Sequence, residues 1–157
     1  MIDRATVDLL EGGSALTIGT VRSDGVPHAA RAWGLDLLAH DPMRVRVLLD
    51  AHEAGTIENL EAGASVAVTA TSVPTFHSVQ LKGTSRGVTE TADGDAERFS
   101  GYTQAFYADI EAADRTPRQL VERLSPGDLV VVELDITDVY DQTPGPGAGR
   151  ELGLGET

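Results

Sequence analysis

Residues 15–39 read ALTIGTVRSDGVPHAARAWGLDLLA, and this stretch decides the fold. Leu16 and Ile18 lie in a run of β-favouring residues. Asp24 and Gly25 form a pair that favours the positive φ angles of a hairpin turn. The stretch therefore predicts two antiparallel strands joined by a tight turn.

The second arm of this hairpin, residues 27–38, has small side chains where a core strand usually has large ones. Arg31 and Trp33 stand among Ala29, Ala30, Ala32 and Gly34. Small residues in a strand usually mark the close approach of a backbone or of a flat ligand. An alanine-rich strand without any ligand is the alternative, and this stretch alone leaves both interpretations open.

The rest of the chain predicts more strands and several helices. The strands are expected at residues 43–49, 64–71, 76–91 and 128–140, with bends at Gly83 and Gly87. A short helix follows Asp3, another lies within residues 50–62, and a helix of about five turns starts near Asp95. Because strands and helices do not alternate regularly, the pattern predicts an α+β, mainly β fold: an antiparallel barrel with peripheral helices.

The C-terminal part of the chain predicts one more helix and a tail. A helix starting at Pro117 is expected to turn Leu120, Val121 and Leu124 inward. Residues 1–140 form one predicted domain, and residues 141–157 form a Gly/Pro-rich tail without periodicity. Such a tail is expected to lie over a partner or to be disordered.

The composition narrows the range of functions. Twelve basic residues against 25 acidic ones give a formal charge of −13, which disfavours nucleic acid and membrane surfaces as partners. A phosphate-bearing ligand would therefore need a local group of cations or backbone N–H donors. The absence of cysteine excludes disulfides, iron–sulfur clusters and thiol nucleophiles. With no secretion signal and no apolar stretch of about 20 residues expected, the predicted location is the cytoplasm.

No strong catalytic motif is present. The sequence lacks a Gly-rich dinucleotide fingerprint, a phosphate loop and a Gly-x-Ser-x-Gly elbow. The four histidines are far apart, which favours scattered surface histidines over a metal site, so no metal is expected: His28, His40, His52 and His77.

The few basic side chains say more about a candidate binding site than the histidines do. Lys82 is the only lysine and lies in mid-strand beside Gln80, and Arg31 lies in mid-strand beside the only tryptophan. A cation inside a strand either faces solvent or contacts an anionic or acceptor-rich ligand, and both interpretations stay open here.

At this point the chain resembles a known family, the pyridoxamine 5′-phosphate oxidase-like, FMN-binding split-barrel proteins. The resemblance covers most of the chain: the hairpin ALTIGTVRSDGVPHAARAW, the segment AHEAGTIENLEAGASVAVT, the strand FHSVQLKGTSR and the ending DVYDQTPGPGAG. It implies a six-stranded antiparallel split β-barrel that works as a homodimer, with FMN in a groove between the subunits.

The resemblance also implies three groups of FMN-binding residues. Those lining the flavin from the second strand would be Arg31, Ala32 and Trp33. Those holding the ribityl-phosphate end would be Asp50, Ala51, His52 and Thr56, the last at a helix start whose N–H groups suit a phosphate. Those reaching the flavin from the long strand, in the same or the other protomer, would be Gln80 and Lys82.

Two departures from the family pattern limit the prediction. Family members usually carry a Lys or Arg in the loop after the third strand, but here the loop reads DAHEAGTIEN, with His52 as its only possible cation. The true oxidases end in an Arg-containing segment that holds the substrate, whereas this chain ends GRELGLGET. Vitamin B6 oxidation is therefore not assigned.

The resulting hypothesis is an FMN-dependent oxidoreductase of unknown substrate, in which the flavin performs the redox chemistry. We name no catalytic residue, and we expect a small-molecule substrate and a nicotinamide electron donor as partners. The alternatives are a non-catalytic binder or carrier of a flavin, a deazaflavin or a haem, and a structural dimer with a vestigial groove.

Overall fold

The computed structural model describes residues 2–153. The elements in chain order are α1 (Arg4–Glu11), β1 (Ala15–Val21), β2 (Pro27–His40), β3 (Met43–Asp50), α2 (Ala54–Glu61), β4 (Ser65–Thr71), β5 (Ser78–Glu90), α3 (Asp95–Asp114), α4 (Arg118–Glu122), β6 (Leu129–Asp141) and β7 (Arg150–Glu151).

Six strands form a closed antiparallel barrel. Their order is β3-β2-β1-β4-β5-β6, and pairing of β3 with β6 closes the ring. The first half of β6 lies between β5 and β3, whereas its end pairs with β5 and the short β7. The prediction of a mainly β, six-stranded split barrel with peripheral helices is confirmed.

Alternating apolar residues fill the interior of the barrel. On β1, Leu16 and Ile18 are fully buried, while Thr17 between them is exposed. On β3, Val45 and Val47 are fully buried, and Arg44 and Arg46 between them are only partly buried. Because side chains alternate between the two faces of a strand, this pattern separates a packed interior from an outer face.

Glycine allows the turn and the bulge that the sequence predicts. Gly25 has φ +86° and donates its N–H to the carbonyl of Arg22 (2.8 Å), which closes the hairpin between β1 and β2. At Gly83 a Cβ atom would lie 1.9 Å from the carbonyl oxygen of Asp135, so only glycine fits this crossing of β5 and β6. The β5–β6 register shifts at this point.

The helices cover the barrel from different sides. Helix α1 is capped by Asp3, whose carboxylate accepts the N–H of Thr6 (2.8 Å), as predicted. Helix α2 packs against β1, β2 and β5, with Leu60 fully buried. Helix α3 packs on β2, where Phe99 meets Trp33 edge to face with ring centroids 6.2 Å apart.

The prediction for the helix after Pro117 is wrong in part. Val121 is buried, but Leu120 and Leu124 are 53% and 67% exposed. Helix α4 has only five residues, and so short a helix turns a single position towards the core.

The described part of the C-terminal tail includes a short strand that the sequence did not predict, while packing of the tail on a partner stays a prediction. Arg150–Glu151 pairs with the end of β6, and Leu152 donates its N–H to the carbonyl of Val139 (2.7 Å). Arg150 also forms an ion pair with Asp141 (3.1 Å). This part of the tail therefore extends the sheet of its own chain, and the remainder of the predicted tail, residues 154–157, lies outside the described residues.

Among the helices of residues 2–153, none combines the length and the apolar character needed to cross a bilayer.

Candidate functional site

A strip of small residues crosses the outer face of the barrel. The strand register places Ala29 opposite Gly19, Gly19 opposite Ala67, and Ala67 opposite Lys82, on β2, β1, β4 and β5 respectively. We call Ala29, Gly19 and Ala67 the outer strip. With adjacent strands about 4.8 Å apart, the strip and Lys82 together span about 14 Å.

The outer strip forms the floor of the largest described cavity. This groove has a volume of about 770 Å³, and its wall includes Pro27, His28, Lys82 and Asp138. Thr84 and Ser65 line it next to the strip. A groove with a floor of small residues and a mainly apolar wall suits a planar ligand.

Three of the predicted residues share this outer face. Lys82 lines the groove itself. Arg31 pairs with Thr17 and Gln80 pairs with Thr69, so both lie in the row next to the outer strip. The fold therefore brings Arg31, Gln80 and Lys82 to one surface from strands that are far apart in the sequence.

Arg31 and Lys82 differ from most other cations of the chain. Eight of the twelve Lys and Arg side chains form ion pairs with a carboxylate. Within residues 2–153, those without such a pair are Arg31, Lys82, Arg115 and Arg123. In a chain of charge −13, two unneutralised cations on one face are candidates to attract an anionic or acceptor-rich group.

Aromatic rings hold both of these cations on the outer face. The guanidinium carbon of Arg31 lies 4.9 Å from the ring centroid of Phe106 and 5.6 Å from that of Trp33. The amine of Lys82 lies 4.4 Å from the ring centroid of Tyr140. Cation–π contacts of this kind leave the N–H donors free for a ligand.

Gln80 is oriented by a neighbouring strand. Its Nε2 donates to Thr69 Oγ1 (3.0 Å). This bond leaves the carbonyl oxygen of Gln80 as an acceptor, two residues from Lys82 on the same face of β5. A ligand edge that carries both donors and acceptors would match this pair.

Two of the predicted residues have buried side chains. Ala32 is fully buried, and Trp33 is buried under Phe99 of helix α3. A contact with a ligand at these two positions would therefore have to come from the backbone. The side chain of Trp33 instead supports Arg31.

The four residues predicted for the ribityl-phosphate end lie together at the end of β3 and the start of α2. The side chain of His52 is 75% exposed. The carboxylate of Asp50 accepts a hydrogen bond from the backbone N–H of His52 (2.9 Å) and lies 3.1 Å from its ring Nδ1. Ala51 is partly buried between them, while Thr56 is fully buried, and its Oγ1 has no hydrogen-bond partner within residues 2–153. This cluster does not line the groove.

A smaller cavity joins the groove to helix α2. It has a volume of about 140 Å³ and lies between the β1–β2 hairpin and the first turn of α2. Pro27 and His28 line both cavities, and Gly55 lines the smaller one. We call this smaller space the rim cavity, because it places His28 between the outer strip and the start of α2.

Sequence reasoning named Ala29 among the small residues of the second strand, but it did not connect Gly19, Ala67, His28 or Tyr140 with the candidate site. Part of the outer strip could be inferred from the sequence, because Ala29 lies two residues from Arg31 and must lie on the same face of strand β2. The pairing of β1 with both β2 and β4, which brings Gly19 and Ala67 into the same row, is visible only in the fold.

One buried hydroxyl lies near the site but does not suit acid–base work at neutral pH. Tyr102 donates its hydroxyl to the carbonyl of Ser14 (2.8 Å), and burial raises the pKa of Tyr102 to about 12. Within residues 2–153, no group of three or more His, Cys, Asp or Glu side chains is placed to hold a metal ion. The catalytic residue stays unassigned, and the absence of a metal stays a prediction.

The closed six-stranded barrel defines a class of fold: the chain has the split-barrel fold of pyridoxamine 5′-phosphate oxidase-like proteins. No protein-family model and no curated protein matches the sequence.

Solved structures establish this shared fold. HupZ of Group A Streptococcus superposes with a TM-score of 0.59 at 16% identity, over 95% of this chain and 100% of that chain. A candidate pyridoxamine 5′-phosphate oxidase of Lactobacillus delbrueckii gives 0.54 at 23% identity, over 88% and 93%. An F420 reductase gives 0.52 at 17% identity, over 88% and 98%.

Proposed function

We propose that this protein is a flavin-dependent oxidoreductase that binds FMN in the outer groove. The observation that carries the proposal is the pair of unneutralised cations, Arg31 and Lys82, on the face that holds the outer strip. A floor of small residues, with Lys82 in the wall and Arg31 in the neighbouring row, suits a planar ring system with an anionic substituent. The substrate is not assigned, and vitamin B6 oxidation is not part of the proposal.

The residues of the groove fit a flavin. A Cβ atom built on Gly19 would lie 3.8 Å from the nearest protein atom, so the protein itself has room for a side chain at this position. The absence of that side chain leaves open space above the outer strip. The ring would lie on this floor, with Gln80 and Lys82 supplying an acceptor and a donor at its edge. The ribityl-phosphate end would run past His28 towards the first turn of α2.

When bound, FMN supplies the electron-transfer chemistry. The chain's own residues bind and orient it: the outer strip allows close approach of the ring, and Arg31 and Lys82 offset negative charge. We further propose that a small-molecule substrate and a nicotinamide electron donor approach the exposed side of the ring. A cytoplasmic location stays a prediction from the sequence.

We also propose that two copies of the chain form a homodimer across this face. The groove is open to solvent on one side, and Val21 at its wall is 46% exposed. A second copy would cover apolar surface here and supply the second wall of the site. Light scattering that finds only monomer, with and without FMN, would contradict the dimer.

The cofactor test is a spectrum of the purified protein followed by titration of FMN, with quenching of flavin fluorescence as the signal. We expect binding at micromolar concentration. Ala67→Phe is the matched control, because it fills the floor of the groove without removing a charge. A wild-type protein that is colourless and does not quench FMN fluorescence would refute the proposal, and equal quenching by both proteins would place the flavin elsewhere.

A second candidate function is a non-catalytic binder or carrier of a flavin, a deazaflavin or a haem. It is favoured by the loop after β3, residues 51–53, which offers His52 as its only cation. The structural likeness to an F420 reductase makes a deazaflavin a reasonable ligand to include in the titrations. Rapid reduction of bound flavin by NADH or NADPH, followed by steady turnover with an electron acceptor, would exclude the carrier.

A further inference from the structure

A second cavity lies at the other end of strand β4 from the groove. Residues 65–67 at the start of β4 line the groove, whereas Ser72, just after the end of β4, lines this cavity, which has a volume of about 250 Å³. Its wall also includes Asp8 of α1, Asp109 of α3 and residues 12–14, which form the turn between α1 and β1. We call it the turn cavity.

The turn between α1 and β1 lies directly against helix α3. A Cβ atom on Gly13 would lie 2.5 Å from the backbone nitrogen of Phe106 and 2.6 Å from the carbonyl carbon of Ala105, so the two backbones are in contact. Asp109 lies one helical turn beyond Ala105 and on the same face of α3. The packing of the two backbones therefore holds Asp109 beside the turn.

Asp109 carries a charge without a counter-ion. The residue is partly buried, and its carboxylate forms no ion pair within residues 2–153. Asp8, in the same wall, already pairs with Arg4 (Oδ1 to Nε, 2.8 Å). Because removing a carboxylate from water is costly unless it is paired, a bound cation would stabilise Asp109.

The end of helix α1 adds backbone acceptors. Helices α2, α3 and α4 each end with a hydrogen bond from the N–H of the cap residue to a helix carbonyl, whereas Gly12, the cap of α1, makes no such bond to the described part of the chain. The last turn of α1 also carries no basic side chain. Carbonyl oxygens at the C-terminal end of a helix carry partial negative charge, which attracts cations.

A buried hydroxyl is a separate indication of a ligand. Ser14 lines the turn cavity and is 4% exposed, and its Oγ has no hydrogen-bond partner among the residues that the structure describes. The carbonyl oxygen of Ser14 already accepts a hydrogen bond from the hydroxyl of Tyr102 (2.8 Å). Since buried hydroxyl groups are nearly always paired, a hydrogen-bonding ligand in this cavity would give Ser14 Oγ a partner.

We infer that the turn cavity binds a primary ammonium group, carried by a small alkylamine or by a lysine side chain of another protein. Such a group has three N–H donors. The cavity offers three kinds of acceptor: the carboxylate of Asp109, the carbonyl oxygens at the end of α1 and the hydroxyl of Ser14. Leu9 in the wall gives the alkyl stem an apolar contact.

Two features of the turn cavity define this binding further. A metal ion suits the cavity less than an ammonium group, because no three His, Cys, Asp or Glu side chains of residues 2–153 are placed to hold one. The described residues that line the turn cavity differ from those that line the groove, so this binding does not depend on a flavin.

The experiment titrates n-butylammonium chloride into the wild-type protein at pH 7, where an alkylamine, like lysine, is protonated. The readout is the shift of the backbone amide signals of Ser14, Ser72 and Asp109 in assigned NMR spectra. We expect these shifts to saturate at millimolar concentration. Tetramethylammonium has the same charge but no N–H donor, and it should bind at least about 10-fold more weakly.

Variants locate the acceptors. Asp109→Asn should weaken binding of n-butylammonium at least about 10-fold, because it removes the charged acceptor. Ser14→Ala should weaken it about 5-fold. Without the amine, Ser14→Ala should be as stable as the wild type in urea unfolding, because the hydroxyl that it loses has no partner within the described residues. Glu111→Gln is the matched control: it removes the same charge from the exposed side of α3, outside the cavity, and should leave binding unchanged.

A second probe, Nα-acetyl-lysine N-methylamide, separates the two sources of the ammonium group. If it binds as n-butylammonium does, the cavity admits a lysine side chain, and if n-butylammonium alone binds, the ligand is a free amine. Shifts that do not saturate with either probe, equal binding of tetramethylammonium, or unchanged binding in Asp109→Asn would overturn the site. None of these results bears on the flavin groove, whose test is the titration of FMN.

Discussion

The two halves of strand β2 differ in what covers them. Residues 27–31 pair with β1, and the outer side of this half, with Ala29 and Arg31, faces the groove or solvent. Residues 33–38 pair mainly with β3 and lie beneath helices α1 and α3. One strand therefore contributes to a candidate binding surface at one end and to the packed core at the other.

The covered and open halves of β2 also differ in the size and the charge partners of their side chains. In the covered half, Trp33 and Leu35 are buried, and Asp36 forms an ion pair with Arg98 of α3 (2.5 Å). Burial raises the pKa of Asp36, and Arg98 opposes this shift. In the open half the outward side chain at Ala29 is small, and Arg31 has no carboxylate partner within residues 2–153. We therefore expect substitutions in the covered half to change stability, and those in the open half to change binding.

The largest expected effect is a loss of stability in the covered half. Leu35→Ala removes a fully buried side chain and should lower the free energy of unfolding by about 2–5 kcal/mol. Leu38→Ala makes the same change three residues along, where the side chain is 47% exposed, and should cost under about 1 kcal/mol. Urea unfolding of both variants measures the difference, and equal costs would contradict the link between the loss of stability and the burial of Leu35.

The next effect concerns an ion pair that joins β3 to the start of α3. Arg46 donates to Asp95, whose side chain is 3% exposed (Nη2 to Oδ2, 2.7 Å). Arg46→Met leaves this buried carboxylate without its partner and should cost about 2–4 kcal/mol at pH 7. Arg44→Met is the control, because its partner Asp135 is 40% exposed and keeps Arg86, so the cost should stay below about 1 kcal/mol.

The same pair has a defined pH dependence. The bond from Arg46 lowers the pKa of Asp95, so the pair stabilises the fold above the ordinary aspartate pKa and loses this contribution as the pH falls through the lowered pKa. In Arg46→Met, Asp95 takes up a proton more readily. The deficit of the variant should therefore shrink between pH 7 and pH 4, and a deficit that grows on acidification would contradict this account.

In the open half we expect the opposite behaviour. Ala29→Phe places a ring over the outer strip and should weaken FMN binding at least about 10-fold, or about 1.4 kcal/mol. The free energy of unfolding should change by less than about 1 kcal/mol, because the position is exposed. Ala112→Phe on the exposed side of α3 is the control and should leave binding unchanged. A large loss of stability in Ala29→Phe would show that this half is also packed.

The smallest expected effects come from the two free cations. Arg31→Met and Lys82→Met should each weaken FMN binding by about 1–2 kcal/mol if each side chain makes a charged hydrogen bond to the ligand. Arg115→Met removes another cation without a described carboxylate partner, outside the groove, and should have no effect on binding. Unchanged affinity in both test variants would mean that Arg31 and Lys82 only face solvent.

Most of the fold was predictable from local patterns. Alternating apolar residues in β1 and β3, the turn at Gly25 and the cap at Asp3 each act over a few residues, and each is found where the sequence indicates it. The sequence did not predict the exposed face of helix α4, which has only five residues and packs on α3, or the strand in the tail, which depends on pairing with distant β6. Leu152, for example, bonds to Val139 of β6.

The candidate site was only partly predictable. Residue type and scarcity indicated Arg31 and Lys82, since a lone lysine in a strand of an acidic chain is unusual. Their common surface depends on the pairing of four strands, whereas the burial of Trp33 depends on the packing of α3 on β2.

The sequence by itself determined the class of fold, the position of the hairpin and the identity of the scarce cations, because periodicity and turn chemistry are local properties of the chain. Only the tertiary structure decided that Gly19, Ala29 and Ala67 form one floor, that His28 contacts the start of α2, and that Ala32 and Thr56 turn inward. Strand register sets the shared floor, and the packing of α2 on the barrel sets the positions of His28 and Thr56, because both depend on contacts between distant parts of the chain.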